Sequence, residues 1–154
     1  MVAALELRIP PVVVMVVVAA LMGLTATLVP ALAFAVPGRA VITSLLVAAG
    51  MVFALAGVVR FRQSATTVSP IHPEGASSLV TTGIYRVTRN PMYLGMLLIL
   101  LGWAVWLAHP LSLLALPLFV LYLNRFQIGP EERILRNKFG EAFDSYAHRV
   151  RRWL

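Results

Sequence analysis

The sequence predicts an all-α integral membrane protein, with four transmembrane helices and a cytoplasmic C-terminal helical cap. Three observations predict it. Of 154 residues, 60% are hydrophobic and only 12% are charged, too few polar groups to cover the surface of a soluble domain. The apolar residues gather into four long runs, near residues 9–36, 41–59, 92–107 and 111–126. The basic residues are confined to the polar segments around those runs. A single membrane domain over residues 1–154 follows, because spans this short bury polar groups only against one another.

The first two runs are each long enough to cross a hydrocarbon core, which takes ~20 helical residues. Pro10 and Pro11 suit a first helical turn, whereas Pro30 should kink or end the first span. Arg8, the apolar run and the string Ala31-Leu32-Ala33-Phe34-Ala35 also have the outline of a signal peptide. The run is longer than the ~7–15 residues of a signal core, so a span is the better reading. Pro37-Gly38 is the turn into the second span, where Gly50, Ala54 and Gly57 offer small surfaces for close helix packing.

Residues 60–90 are polar, a loop long enough to be functional rather than a connector. The third and fourth runs meet at His109-Pro110. At about sixteen residues, each makes ~24 Å of helix against a ~30 Å core, which suits a tight hairpin whose ends continue into polar surroundings. A C-terminal tail, residues 130–154, is expected to begin at Gly129-Pro130 with Pro130 in a first helical turn. Ile134, Leu135, Lys138 and Phe139 share a face of one amphipathic helix ending near Gly140. Phe143, Tyr146, Ala147 and Val150 suggest a second short helix.

Charge sets the orientation. The net charge is +7, from thirteen Lys and Arg against six acidic residues. Arg8, Arg60, Arg62, Arg86, Arg89 and the seven basic residues from Arg125 onward fall on one side of the predicted spans, and only Arg39 on the other. The positive-inside rule then makes the long loop, the tail and both termini cytoplasmic, in a bacterial or archaeal cytoplasmic membrane. The basic residues read as topology and lipid-headgroup contacts, with no nucleic-acid partner.

The absence of cysteine excludes disulfides, thiolate metal sites and a cysteine nucleophile. His72, His109 and His148 are dispersed without metal-ligand spacing, so no metal is expected, and His109 reads as a turn or interface residue. Trp103, Trp106 and Trp153 read as core or interfacial aromatics. Glu6, Glu74, Glu131, Glu132, Glu141 and Asp144 all lie outside the apolar runs. That disfavours a small four-helix transporter, which normally needs an ionisable group within the bilayer.

The informative stretch runs from Leu79 through Gly95. It sets two arginines and two tyrosines at the mouth of a helix started by Pro91, and by spacing alone interfacial anchoring would account for them. Glu131 and Glu132, in a first helical turn with Glu132 four residues before Arg136, would likewise stabilise a helix without a ligand.

The pattern Gly83-x-Tyr85-Arg86-x-x-Arg89-Asn90-Pro91-x-Tyr93-x-Gly95 is followed by Glu131-Glu132, Phe139-Gly140 and Tyr146-x-x-Arg149-Val150. In that order it resembles the isoprenylcysteine carboxyl methyltransferase family, whose outline the phospholipid methyltransferases share. The resemblance covers Leu79 to the C-terminus; residues 1–78 match only as spans. Many eukaryotic members have histidine where this chain has Asn90, and Asn cannot act as a titrating imidazole.

The resemblance implies an S-adenosylmethionine-dependent methyltransferase that binds its cofactor at the cytoplasmic ends of the last two spans, capped by the tail. It implies cofactor contacts from Tyr85, Arg89, Asn90, Pro91, Tyr93, Leu94, Gly95, Glu131 and Glu132. The acceptor would be a carboxylate on a lipophilic small molecule or a lipid-linked, isoprenoid-type group reached from membrane lipid. Arg89 and Arg149 are the catalytic candidates, since a guanidinium fork matches a carboxylate. A sterol-type reductase using NADPH is the other enzyme class with a related C-terminal region; the glutamate pair and the short chain favour the methyl donor. The oligomeric state is left open.

Overall fold

The computed structural model describes residues 6–63 and 78–154, and every regular element among them is helical. The first helix, α1 (Pro11–Leu28), starts on Pro11, which needs no amide partner there. It stops two residues before Pro30, and a short 3-10 turn, Pro30–Leu32, replaces the continuation to residue 36 that the apolar run suggested. Proline has no amide to bond back into the preceding turn and its ring crowds the carbonyl four residues earlier, which favours a break at this position. Helix α2 (Arg39–Gln63) is longer than its apolar run at both ends, because arginine and glutamine are good helix formers.

The polar connection is described only from residue 78. It holds a 3-10 turn, Gly83–Arg86, before α3 (Pro91–Leu107). His72 and Glu74 lie outside the described residues. Helix α4 (Pro110–Leu123) then passes without interruption through a π turn, Asn124–Ile128, into α5 (Gly129–Phe139). Gly140 ends α5 with a positive φ of 52°, and α6 (Glu141–Arg149) follows.

The continuity at Gly129-Pro130 departs from the expected helix start, and its cause is local. The amide of Gly129 bonds back five residues to the carbonyl of Asn124, and a Cβ on Gly129 would sit 3.0 Å from that oxygen. Pro130 offers no amide to the Phe126 carbonyl. That carbonyl instead accepts a hydrogen bond from the amide of Leu7, at 3.0 Å. Glu6, next to Leu7, pairs with Arg125 at 2.6 Å and with Arg133. The N-terminal segment thus supplies the donor that the proline lacks.

Three described helical stretches are long and apolar enough to cross a membrane: α1, α2 and the run from α4 onward. Helix α3 is shorter, at 17 residues, and is the central element, in contact with α1, α2 and α4. Outward-facing Val16, Leu28, Leu45, Val52, Leu114 and Leu118 give the bundle an apolar exterior. With such an exterior in lipid, helix association depends on close packing and on hydrogen bonds rather than on hydrophobic burial.

Both are present. Gly50 and Gly95 meet across α2 and α3 so closely that a Cβ on Gly95 would lie 2.5 Å from the Gly50 carbonyl oxygen. The Thr43 hydroxyl donates to the Gly102 carbonyl at 3.1 Å, and the Trp103 indole donates to the Ala19 carbonyl at 3.0 Å. His109 is fully buried with Nε2 3.0 Å from the Val29 carbonyl, so it is an interhelical pin at the α3–α4 turn. Arg39, stacked over Trp106 with its guanidinium carbon 5.0 Å from the ring centroid, marks the same end.

Candidate functional site

At the opposite end of the bundle the chain folds back on itself. Val150 leaves α6 in extended conformation, and residues 151–153 run alongside residues 88–90. The Arg89 amide donates to the Arg151 carbonyl at 3.0 Å. The Thr88 hydroxyl and the Asn90 side-chain amide both donate to the Arg152 carbonyl, at 3.2 and 2.9 Å. The Trp153 indole donates to the Asn124 side-chain oxygen at 3.1 Å, which fixes the chain end on the π turn. Asn90 therefore works as a donor to a backbone carbonyl, a task that needs an N–H but no titrating ring.

Arg89 is the hub of this closure. One terminal nitrogen donates to the carbonyls of Ala147 and Val150 at 2.7 and 2.8 Å, satisfying acceptors that the end of α6 leaves open. The other pairs with Glu132 at 2.7 Å, and Arg152 pairs with the same carboxylate at 2.6 Å. The Arg89 and Glu132 side chains are only 13% and 14% exposed. Burial alone would raise the Glu132 carboxyl. The hydrogen bonds and charges of Arg152 and Arg89 outweigh it and hold the group below its ordinary value.

This geometry alters the expected division of labour. Both terminal nitrogens of Arg89 already have partners within the protein, and the donor left without one among the described residues is its buried Nε–H. Arg149 is exposed at the end of α6, and the tail arginine that reaches Glu132 is Arg152, three residues on. Gly95 is directed at α2 rather than at a cavity. Pro91 and Leu94 are buried around it in the first turns of α3.

The remaining predicted residues form a second cluster. The Tyr93 hydroxyl donates to Oε1 of Glu131 at 2.5 Å, and the Gln127 side-chain amide donates to the same oxygen at 2.9 Å. Loss of hydration pushes the Glu131 carboxyl up to about 7. The hydrogen bonds from Tyr93 and Gln127 resist that rise, and the negative charge of Glu132 adds to it. Tyr85 is buried, held edge-on against Phe61 with ring centroids 5.3 Å apart. The Tyr146 hydroxyl donates to the Tyr85 carbonyl at 2.8 Å, while the Tyr85 hydroxyl itself has no partner among the described residues.

So the structure brings together Tyr85, Arg89, Asn90, Pro91, Tyr93, Leu94, Glu131 and Glu132 at one end of the bundle. Two residues that sequence reasoning missed are Gln127 and Arg152. Gln127 had a legible signal, since it stands four residues before Glu131. Arg152 had none, because its pairing depends on the tail turning back after Val150.

An S-adenosyl donor carries a cationic sulfonium, an ammonium and ribose hydroxyls, which call for an accessible carboxylate and nearby hydroxyls in a dry setting. The residues fit such a group. Glu131 is partly accessible and receives the Tyr93 and Gln127 donors on one oxygen, and the buried Tyr85 hydroxyl has no partner among the described residues.

Residues 39–142 match the phospholipid methyltransferase family. An uncharacterized protein of Haemophilus influenzae is 49% identical over 63 residues, covering 41% of this chain and all of that protein. Similarity extends to the Probable protein-S-isoprenylcysteine O-methyltransferase of Oryza sativa subsp. indica, 40% identical over 104 residues, 66% of this chain and 53% of the rice protein. It also extends to Protein-S-isoprenylcysteine O-methyltransferase B of Arabidopsis thaliana, 32% identical over 101 residues, 66% of this chain and 51% of that one. The chain spans about half the length of these plant relatives. No solved structure matches it.

Proposed function

The chain belongs to the phospholipid methyltransferase family, and from that premise we propose that it is an integral membrane S-adenosylmethionine-dependent methyltransferase acting on a lipophilic acceptor. What most supports the reading is the closure of the C-terminal tail over the mouth of α3, through Arg89, Glu132 and Arg152, beside the cluster of Tyr93, Glu131 and Gln127. In this reading α1, α2, α3 and α4 all cross the membrane, and both termini and the site face the cytoplasm. The seven basic residues from Arg125 onward lie at the site end, and Arg39 at the other.

Bound S-adenosylmethionine supplies an electrophilic methyl group on a sulfonium. The protein's residues have little proton chemistry to do if the acceptor is a carboxylate, which is ionised at neutral pH. Their work is to orient, to exclude water and to balance charge. Glu131 and the Tyr85 hydroxyl would hold the donor's polar groups. Tyr93 and Gln127 would hold Glu131. Arg89, Glu132 and Arg152 would keep the tail closed over the site, an internally neutralised latch rather than a substrate fork. An acceptor carboxylate would then rely on Arg149 and Arg86, both exposed at this end.

The experiment offers purified protein a radiolabelled methyl donor and two acceptors in bilayers, an S-prenylated N-acylcysteine and an aminoethyl phospholipid. A carboxylate acceptor gives an alkali-labile methyl ester, whereas an amine acceptor gives an alkali-stable product. Alkali-labile label in the prenylcysteine is the expected result. Label only in the aminoethyl lipid would overturn the acceptor class, and none in either would count against the activity on both acceptor classes.

A further inference from the structure

Within the long helix that leaves the membrane, one turn is wound differently. Asn124–Ile128 form a π turn, a rare winding that appears mostly as single turns inside α-helices and frequently at functional sites. It has two consequences for side chains. Asn124 is placed to accept from Trp153, and Gln127, only 2% exposed, is placed against Glu131 in the next turn. The donors of Tyr93 and Gln127 converge on a single oxygen, Oε1. The Glu131 side chain is partly exposed, and its second oxygen, Oε2, takes no part in these two bonds.

We propose that Gln127 is a positioning residue: presented by the π turn, it joins Tyr93 in holding Oε1 of Glu131 and thereby turns Oε2 toward the polar groups of the methyl donor. This rests on reading Glu131 as a donor-binding residue. A carboxylate with no such restraint rotates about its last torsion and presents either oxygen. Two donors on one oxygen select a single orientation, and both donors come from rigid helical positions rather than from a loop. Gln127 is neutral, so it orients Glu131 without cancelling the charge that a cationic donor would meet. Among the described residues, the groups around Glu131 are Tyr93 from α3, Gln127 from the π turn and Glu132 beside it in α5, and its charge is also felt by the Tyr85 hydroxyl.

The test follows the Glu131 carboxyl directly, by its infrared band across pH in the purified full chain, with Glu131→Gln assigning the band. The wild-type midpoint is expected near 7. Gln127→Met keeps the length but removes the donor, and should raise the midpoint by about one pH unit through loss of a hydrogen bond to the ionised form. Gln127→Glu, which adds a second acid at the same length, should raise it further and serves if the methionine variant fails to fold. S-adenosylmethionine affinity at pH 7 should fall roughly tenfold in Gln127→Met, the effect of one lost charge-assisted hydrogen bond. A folded Gln127→Met or Gln127→Glu protein with an unmoved midpoint overturns the role of Gln127 while leaving donor binding intact. Failure of the wild type to bind the donor overturns the reading of Glu131 on which that role rests.

Discussion

Glu131 and Glu132 are neighbours in sequence with opposite electrostatic fates. Glu132 is held ionised by Arg152 and Arg89, whereas Glu131 has no cation beside it among the described residues and is raised to about 7 by lost hydration. For binding of a cationic donor, the sign is direct: affinity should increase as pH rises from about 6 to about 8, as Glu131 loses its proton. Glu131→Gln should flatten that dependence and weaken binding at pH 8 by about tenfold or more, measured by calorimetry across pH. For folding, the raised carboxyl has the reverse sign. Its stabilising contribution is full below the unfolded value, near 4.3, and is lost as pH rises through about 7. Asn90 belongs to this scale too. Asn90→Leu should cost about 1 kcal/mol of stability through the lost bond to the Arg152 carbonyl, while Asn90→His, which retains an N–H, should cost less. Thermal unfolding in a fixed detergent measures both.

Between elements, two contacts decide the architecture. The first is the latch between the α3 mouth, α5 and the tail. Arg89→Ala should remove roughly 2–4 kcal/mol, since it leaves a mostly buried carboxylate with Arg152 as its one remaining cation among the described residues and strands two carbonyls at the end of α6. Tail accessibility to protease should increase in parallel. Glu132 contributes stability above its unfolded value that is lost as pH falls through its lowered folded one, so the latch should weaken in acid. The second contact is the glycine crossing of α2 and α3. Gly95→Val should push the helices apart and cost about 1–3 kcal/mol by overpacking. Much at this scale was legible in the sequence: the apolar runs located the helices, Pro30 announced the end of α1, and Gly50 announced a close packing surface, although its partner there is Gly95, expected at the cofactor. The continuous passage from α4 to α5 was not. Gly129-Pro130 has the local signature of a helix start, and what carries the helix through is a π turn with an amide from Leu7, more than a hundred residues away in sequence. The pairing of Arg152 rather than Arg149 with Glu132 was hidden for the same reason, since it is set by the fold-back of the tail after Val150.

For the whole molecule, the sequence motif and the family match agree, and the resemblance to isoprenylcysteine methyltransferases stands at the level of family. Three described helices are apolar and long enough to span a bilayer, and the proposed topology adds α3 as a fourth crossing. The chain has no cysteine, so single cysteines report sidedness without background. Ala35→Cys and Glu141→Cys should label from opposite faces of oriented vesicles, and labelling from one face would remove the four-span arrangement. The central claim is that the α3 mouth and the folded-back tail make one donor-binding site. Calorimetric titration of the purified full chain with S-adenosylmethionine at pH 8 tests it most directly. Saturable binding near one donor per chain, weakened by at least about tenfold in Glu131→Gln, is the predicted result. A folded wild-type protein that takes up no donor, or one that binds equally well without Glu131, would contradict it.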